Sequence, residues 1–222
     1  DQFAFLGDFV GYGADPEWVI DTVSEHVARG AIALMGNHDA AACGIEEPDS
    51  FNPAARTAVL WTREVLTAEN REFLRSLPRH LQIDDMVLCH GSINDTNQYI
   101  LFDSDVWENF SFMEELPGRP QTCFFGHTHR RALWYKDIRG KVALHPITPG
   151  KIFLDRSWHY LINPGSVGQP RDGNPEAAYA IFDDQEFSIL YQSVPYDVAA
   201  AQQSIIKAGL PEYLAERLAQ GV

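Results

Sequence analysis

Long apolar runs are missing from this 222-residue chain. No stretch reaches the roughly 18–20 residues that a membrane-spanning helix needs. No segment reads as a secretory leader, and the expected location is the cytoplasm. Basic residues are scarce: 17 Lys and Arg stand against 31 Asp and Glu, for a formal net charge of −14. That excludes a general nucleic-acid binder, which would show a basic face. It also means that an anionic substrate is repelled at long range, so anion binding has to come from local cations, such as metal ions. Cysteine is scarce too. Cys43, Cys89 and Cys123 are odd in number, and their spacing fits no zinc motif; Cys89 and Cys123 fall in strand-like runs and are expected to be inert core thiols. Internal repeats and low-complexity tracts are absent. The remaining composition, 45% hydrophobic and 22% charged, is globular, and the length fits one domain spanning residues 1–222.

Against that background, four short apolar runs end in a similar way. The first ends in Gly7-Asp8. The second, Ala31 to Met35, ends in Gly36-Asn37-His38-Asp39. The third, Met86 to Cys89, ends in His90-Gly91. The fourth, Cys123 to Phe125, ends in Gly126-His127-Thr128-His129. Runs of this kind read as buried strands of an α/β sheet, and ligands gather outside the carboxyl ends of such strands. Asp, Asn and His delivered to one edge would build a metal centre of oxygen and nitrogen donors.

The rest of the chain can be parsed around these runs. Asp15-Pro16 starts a helix that carries Val19, Ile20, Val23 and Val27 at helical spacing and stops at Gly30. Residues 1–39 therefore read as strand, helix, strand with parallel pairing. Asn52-Pro53 starts a second helix running to about Leu66, and Thr67 caps a third through Leu77. Leu81–Ile83 and Met86–Cys89 read as a hairpin around Asp84-Asp85. A helix is expected from Ser104 to Leu116. A hairpin turns at Arg139-Gly140, and strands follow near Lys151–Leu154, His159–Ile162, Ala178–Phe182 and Phe187–Tyr191. Asp197 caps a late helix that breaks at Gly209, and Pro211 opens another.

Asp8 has two carboxylate oxygens and can bridge two cations. Asn37 offers an amide oxygen, and His90, His127 and His129 offer imidazole nitrogens. Without thiolate, this set suits Mn, Fe, Zn, Ni or Co better than calcium. Two such ions roughly 3.5–4 Å apart lower the pKa of a bridging water and clamp phosphoryl oxygens during in-line attack. His127 and His129 flank one residue, so in an extended segment both point to the same side. His38, positioned by Asp39, is expected to be held protonated and to protonate the leaving oxygen. Taken singly, each motif has a plainer reading as a turn, a capped loop or a core histidine. Their joint occurrence at strand ends favours the metal reading.

In these motifs, Gly7-Asp8-Phe9-Val10-Gly11-Tyr12-Gly13, Gly36-Asn37-His38-Asp39, His90-Gly91 and Gly126-His127-Thr128-His129, the chain resembles the calcineurin-like metallophosphoesterase superfamily. The segment Asn163-Pro164-Gly165-Ser166-Val167-Gly168-Gln169-Pro170-Arg171 is similar to the small bacterial and archaeal phosphodiesterase and phosphatase branch, which includes diadenosine-tetraphosphatase-like proteins. The resemblance implies a four-layer α/β/β/α sandwich of two mixed sheets flanked by helices. It implies metal-dependent hydrolysis of phosphoester or phosphoanhydride bonds by a dinuclear centre with a bridging water or hydroxide nucleophile. In that scheme Asp8 bridges two divalent transition metal ions; Asn37, His90 and His127 bind one of them and His129 the other. His38 is the general acid and Asp39 its orienting partner. The substrate is a phosphorylated small molecule or nucleotide; no membrane partner is expected, and the oligomeric state is open.

One departure bears on this. The family carries Asp-x-His on its first strand, upstream of the Gly-Asp motif, whereas this sequence begins at Asp1. The expectation is that the protein extends upstream, with the first strand and Asp-x-His there; the alternative is a catalytically weakened scaffold of the same fold that binds protein partners. Weaker signals complete the reading. Gly165, Ser166 and Gly168 present backbone N–H groups to phosphate or form a tight turn. Arg171 grips a distal phosphate or makes a surface salt bridge. At most one of Arg130 and Arg131 reaches the site. Trp107, Phe110 and Phe112 read as core before a nucleobase lid. His26, His80, His145 and His159 have no assigned role.

Overall fold

A computed structural model describes residues 2–222. Strand β1 (Ala4–Phe5) pairs in parallel with β2 (Ile32–Ala33) across helix α1 (Pro16–Ala28), as the apolar spacing predicts. Asp15 occupies the N-cap of α1, but its side chain makes no capping bond; Pro16, with no N–H to satisfy, starts the helix. Strand β2 is shorter than the Ala31–Met35 run, because Met35 N–H leaves the pair for the Pro78 carbonyl at 2.8 Å. Helix α2 (Asn37–Ala42) was not expected: Asn37, His38 and Asp39 form its first turn rather than a loop.

Helices α3 (Pro53–Val65) and α4 (Ala68–Ser76) begin where expected, with Asn52 accepting from Ala55 N–H and Thr67 from Asn70 N–H. Strands β3 (His80–Ile83) and β4 (Met86–Cys89) form the predicted antiparallel hairpin. Helix α5 (Asp103–Glu115) precedes β5 (Thr122–Phe124), β6 (Ala132–Lys136), β7 (Val142–Leu144), β8 (Ile152–Phe153), β9 (His159–Asn163), β10 (Ala177–Asp183) and β11 (Ser188–Val194). The chain then forms α6 (Val198–Lys207), capped by Asp197, α7 (Glu212–Glu216) and a 3₁₀ turn, Arg217–Ala219.

These elements assemble as a mixed α/β fold of several sheets flanked by helices. The largest sheet has six strands in the order β3-β4-β5-β9-β6-β7; a three-stranded sheet runs β10-β11-β8, and β1-β2 stand as a pair. Side chains alternate across the six-stranded sheet. Tyr160 and Ile162 of β9 pack with Ile189 and Tyr191 of the three-stranded sheet. Leu161, between them in sequence, packs on the opposite face with Cys123 and with Phe110 and Met113 of α5. With both faces covered, the central strands β4, β5 and β9 read as continuous apolar runs. Helices α1, α2 and α4 enclose β2, while α3, α6 and α7 share a separate cluster around Ala58, Leu214 and Leu218. Among the described residues no helix is long and apolar enough to cross a membrane.

Candidate metal centre

The chain leaves β1 through two left-handed residues, Gly7 (φ 90°) and Asp8 (φ 59°). That conformation is uncommon for a residue with a side chain, and at Asp8 it is held by several bonds. Asp8 N–H donates to Asp39 Oδ2 at 2.7 Å; Asp8 Oδ1 accepts from His38 N–H at 3.0 Å, and Oδ2 from the Tyr12 hydroxyl at 2.9 Å. Gly36 makes this approach possible. A Cβ there would lie 2.2 Å from Asp8 Oδ1 and 2.3 Å from Asp8 N. Gly36→Ala is therefore expected to cost about 3 kcal/mol or more, at or beyond the upper range for overpacking, and to lower metal content with it. A melting temperature and metal content equal to those of the wild type would show that the two loops separate freely.

His127 and His129 do not lie in an extended segment, so the alternation argument for them is corrected. Both are left-handed (φ 59° and 57°), in the turn that leaves β5. What aims them is anchoring of the far ring nitrogen. His129 Nδ1 is 2.9 Å from the Gln169 carbonyl, His127 Nε2 is 3.1 Å from the Asn97 carbonyl, and His90 Nδ1 is 2.6 Å from the Leu6 carbonyl. Each carbonyl accepts a proton from one nitrogen and leaves the other free to bind. The free nitrogens converge. His90 Nε2 lies 3.2 Å from Asp8 Oδ1, 3.2 Å from His127 Nδ1 and 3.1 Å from Asn37 Oδ1. His129 Nε2 lies 3.7 Å from the other oxygen, Asp8 Oδ2.

Charge is concentrated here in a buried place. Burial opposes the ionisation of Asp8, but His90, His38 and His129 together hold its carboxyl well below the usual range. Burial also works against a charged His90, and the adjacent Asp8 overrides it, so His90 is raised. His127 is pushed down to about 3, first by burial and then by His90; His129 is lowered, mainly by burial. Burial, then the charge of Asp8, hold the Tyr12 phenol well above its usual value, so it remains a donor to Asp8.

Two expectations about the Asn-His-Asp turn are corrected. Asp39 does not orient His38. Its carboxylate accepts from the backbone N–H groups of Gly36, Asp8, Phe9 and Val10, and so ties the two ligand loops together. Burial and then Asp8 push its carboxyl up to about 7, against those donors. His38 is not held protonated either: burial pushes it down to about 4, and it stands neutral near pH 7. Its Nδ1 is buried without a partner, facing Gly11, where a Cβ would come within 2.5 Å. A buried N–H with no acceptor is costly, so the ring proton belongs on Nε2. The ring itself is fixed by stacking on Tyr12, with centroids 4.0 Å apart, and by contact with Phe51 at 4.5 Å.

The donors of Asp8, His90 and His127 lie within 4.8 Å of one another. A carboxylate and two imidazoles, buried and pre-aimed by backbone carbonyls, fit a divalent transition ion. A model of the calcineurin-like phosphoesterase superfamily domain matches residues 1–186. The chain belongs to that family. An uncharacterized protein of Methanocaldococcus jannaschii is 36% identical over 97% of this chain and 85% of its own length. The crystal structure of a metallophosphoesterase from Sphaerobacter thermophilus is also 36% identical; it superposes with a TM-score of 0.84 over all of this chain and 89% of that one. A hypothetical protein from Pyrococcus horikoshii OT3, 20% identical, shares the fold, with a TM-score of 0.78 over 100% of this chain and 85% of that one. The chain is thus a metallophosphoesterase by family, with a possible metal-binding group at Asp8, His90 and His127. The family match ends before β11.

Around this metallophosphoesterase centre, the motif-poor residues divide. Arg171 lies beside it: its backbone N–H donates to the His129 carbonyl at 3.0 Å, and its guanidinium sits 5.8 Å from the Tyr12 ring centroid. Ser166 is placed in the turn before it, its hydroxyl accepting from Gln169 N–H at 3.0 Å, and Gly165 N–H is taken by Asn163 Oδ1. These bonds form a tight turn, and they leave the Ser166 hydroxyl proton unassigned. Arg131 is bound to Asp172 and Ser193. Phe110 is core, whereas Trp107 is 44% exposed, under Lys136. Sequence reasoning missed Tyr99, which stacks on His127 with centroids 3.9 Å apart, as well as Phe51 and the anchoring carbonyls. The carbonyls leave no side-chain signal; Tyr12 sat in plain view inside the Gly7–Gly13 motif.

Proposed function

We propose that the protein hydrolyses phosphoester or phosphoanhydride bonds of a small-molecule or nucleotide substrate with two divalent transition metal ions. The observation that carries this reading is the way Asp8 divides its oxygens: Oδ1 faces His90 and Oδ2 faces His129. Asp8 would bridge; Asn37, His90 and His127 would hold one ion and His129 contribute to the other. When bound, the ions would acidify a water and polarise the phosphoryl oxygens.

The chain's own residues supply the rest. Leu6, Asn97 and Gln169 fix the imidazoles through their carbonyls. Asp39 locks the β1 and β2 loops to each other, and Tyr12 donates to Asp8. His38 would present Nε2–H to the oxygen that leaves phosphorus; as an acid it would first take up a second proton, which a bound anionic phosphoryl group favours, and then return to the neutral imidazole by giving the Nε2 proton to that oxygen as the P–O bond breaks. The test is hydrolysis of bis(p-nitrophenyl) phosphate or p-nitrophenyl phosphate with Mn²⁺. Activity should require a transition metal, disappear with EDTA and return when metal is restored. Undiminished hydrolysis by metal-stripped protein would overturn the proposal.

A further inference from the structure

Tyr99, which covers His127, sits on a segment that is fixed on both sides of it. The segment first crosses the strand end that supplies His90. A Cβ on Gly91 would lie 2.5 Å from the Thr96 carbonyl oxygen, 2.7 Å from that of Asp95 and 2.8 Å from that of Gln98. The chain therefore rests directly on the residue after a candidate ligand. Asn97 then meets the far nitrogen of His127 with its carbonyl, and its side chain donates to Glu46 Oε2 at 3.3 Å. Beyond Tyr99, Ile100 is buried with Val106 and Phe110 of α5. The Asp105 carboxylate accepts from Leu101 N–H at 3.1 Å and from Phe102 N–H at 2.9 Å.

The Tyr99 ring nevertheless stays open. One face lies on the His127 imidazole, with centroids 3.9 Å apart and planes 27° apart, yet the residue is 45% exposed. A stack of two rings covers one face of each, so what remains exposed is the other face and the rim. Leu101 and Phe102, both exposed, extend this apolar surface, and no lysine or arginine stands between Ser92 and Phe102. Trp107, the other exposed aromatic of this region, differs, because Lys136 lies over its ring. The free nitrogen of His127, Nδ1, belongs to the same imidazole that Tyr99 covers. A phosphate at the metal centre and a group on Tyr99 would be separated by little more than the width of that ring, a span that the ribose of a nucleotide covers. A rigid, open aromatic face takes up a flat π-system at little ordering cost, and stacking of this kind tolerates any base.

We propose that the open face of Tyr99 is a stacking platform for the nucleobase of a nucleotide whose phosphate sits at the metal centre. This rests on the phosphoesterase reading above and names its substrate class: a nucleoside phosphate rather than a sugar or alkyl phosphate. Tyr99 would be the specificity-determining residue.

The test is calorimetric binding of AMP and of ribose 5-phosphate, which keeps sugar and phosphate but lacks the base, to the manganese-loaded protein. The wild type should bind AMP about tenfold tighter, the order expected for one stacked base. Tyr99→Phe, which keeps the aromatic face, should preserve that ratio. Tyr99→Leu, which keeps apolar bulk without the face, should remove most of it. Affinity for ribose 5-phosphate and manganese content should stay at wild-type values in both, a pattern that mere support of His127 would not give. If Tyr99→Leu fails to fold or loses metal, Tyr99→Trp carries the comparison and should raise the ratio. Equal affinities in the wild type, absence of binding included, overturn the proposal. So does an unchanged ratio in metal-loaded Tyr99→Leu or, where that variant fails, in Tyr99→Trp. Metal-dependent hydrolysis of bis(p-nitrophenyl) phosphate, measured on the same wild-type preparation, separates the two readings: hydrolysis without the preference for AMP sinks only the platform, and the preference without hydrolysis sinks only the phosphoesterase reading.

Discussion

Asp8→Asn is expected to abolish hydrolysis and to empty the metal centre together. The carboxylate is the only acidic member of the Asp8, His90 and His127 group, and its oxygens face histidines on opposite sides. Asparagine keeps an acceptor for His38 N–H or for the Tyr12 hydroxyl. It turns the other oxygen into an NH₂ that cannot ligate, and it removes the negative charge that offsets the cations. Loss of several kcal/mol of transition-state stabilisation corresponds to roughly 10³-fold or more in rate. Metal analysis of the purified variant should fall from stoichiometric to near zero, while circular dichroism stays native, because the Asp39 bonds to Gly36, Asp8, Phe9 and Val10 are untouched. Full metal occupancy with full activity in Asp8→Asn would contradict the proposed centre.

His38→Ala is expected to separate chemistry from metal binding. The side chain of His38 makes no hydrogen bond to Asp8, Asn37 or the three ligand histidines, and it stacks on Tyr12 and Phe51. Metal content should therefore hold, while kcat on alkyl phosphate esters falls by roughly 10²–10⁴, the range for a positioned acid. Its low pKa sharpens the expectation. A histidine pushed to about 4 is neutral near pH 7, so it acts as an acid only once an anionic phosphoryl group has raised its basicity and it has become imidazolium. Leaving-group dependence is the readout. With p-nitrophenolate, which leaves without a proton, the fall should be much smaller. Equal losses on alkyl and nitrophenyl esters at full metal occupancy would remove the acid role and leave His38 as a hydrogen-bond clamp on the phosphoryl oxygens.

The sequence by itself determined the ligand types and the elements that deliver them. Gly36-Asn37-His38-Asp39 and Gly126-His127-Thr128-His129 are local patterns, and buried strands announce themselves by short apolar runs. Capping chemistry at Asn52 and Thr67 placed two helix starts to the residue, because caps act over three or four positions of chain. Tertiary structure decided everything that depends on distance in space. It gave Asp39 to the backbone of a loop some thirty residues away rather than to its neighbour His38. It turned His127 and His129 inward through left-handed backbone instead of strand alternation. It also tied the end of the chain to the segment after Arg171 through a bond from Gly173 N–H to the Gly221 carbonyl. No local rule could have foreseen these, since a hydrogen-bonding group takes whichever partner the packed chain brings within about 3 Å, whatever stands beside it in sequence.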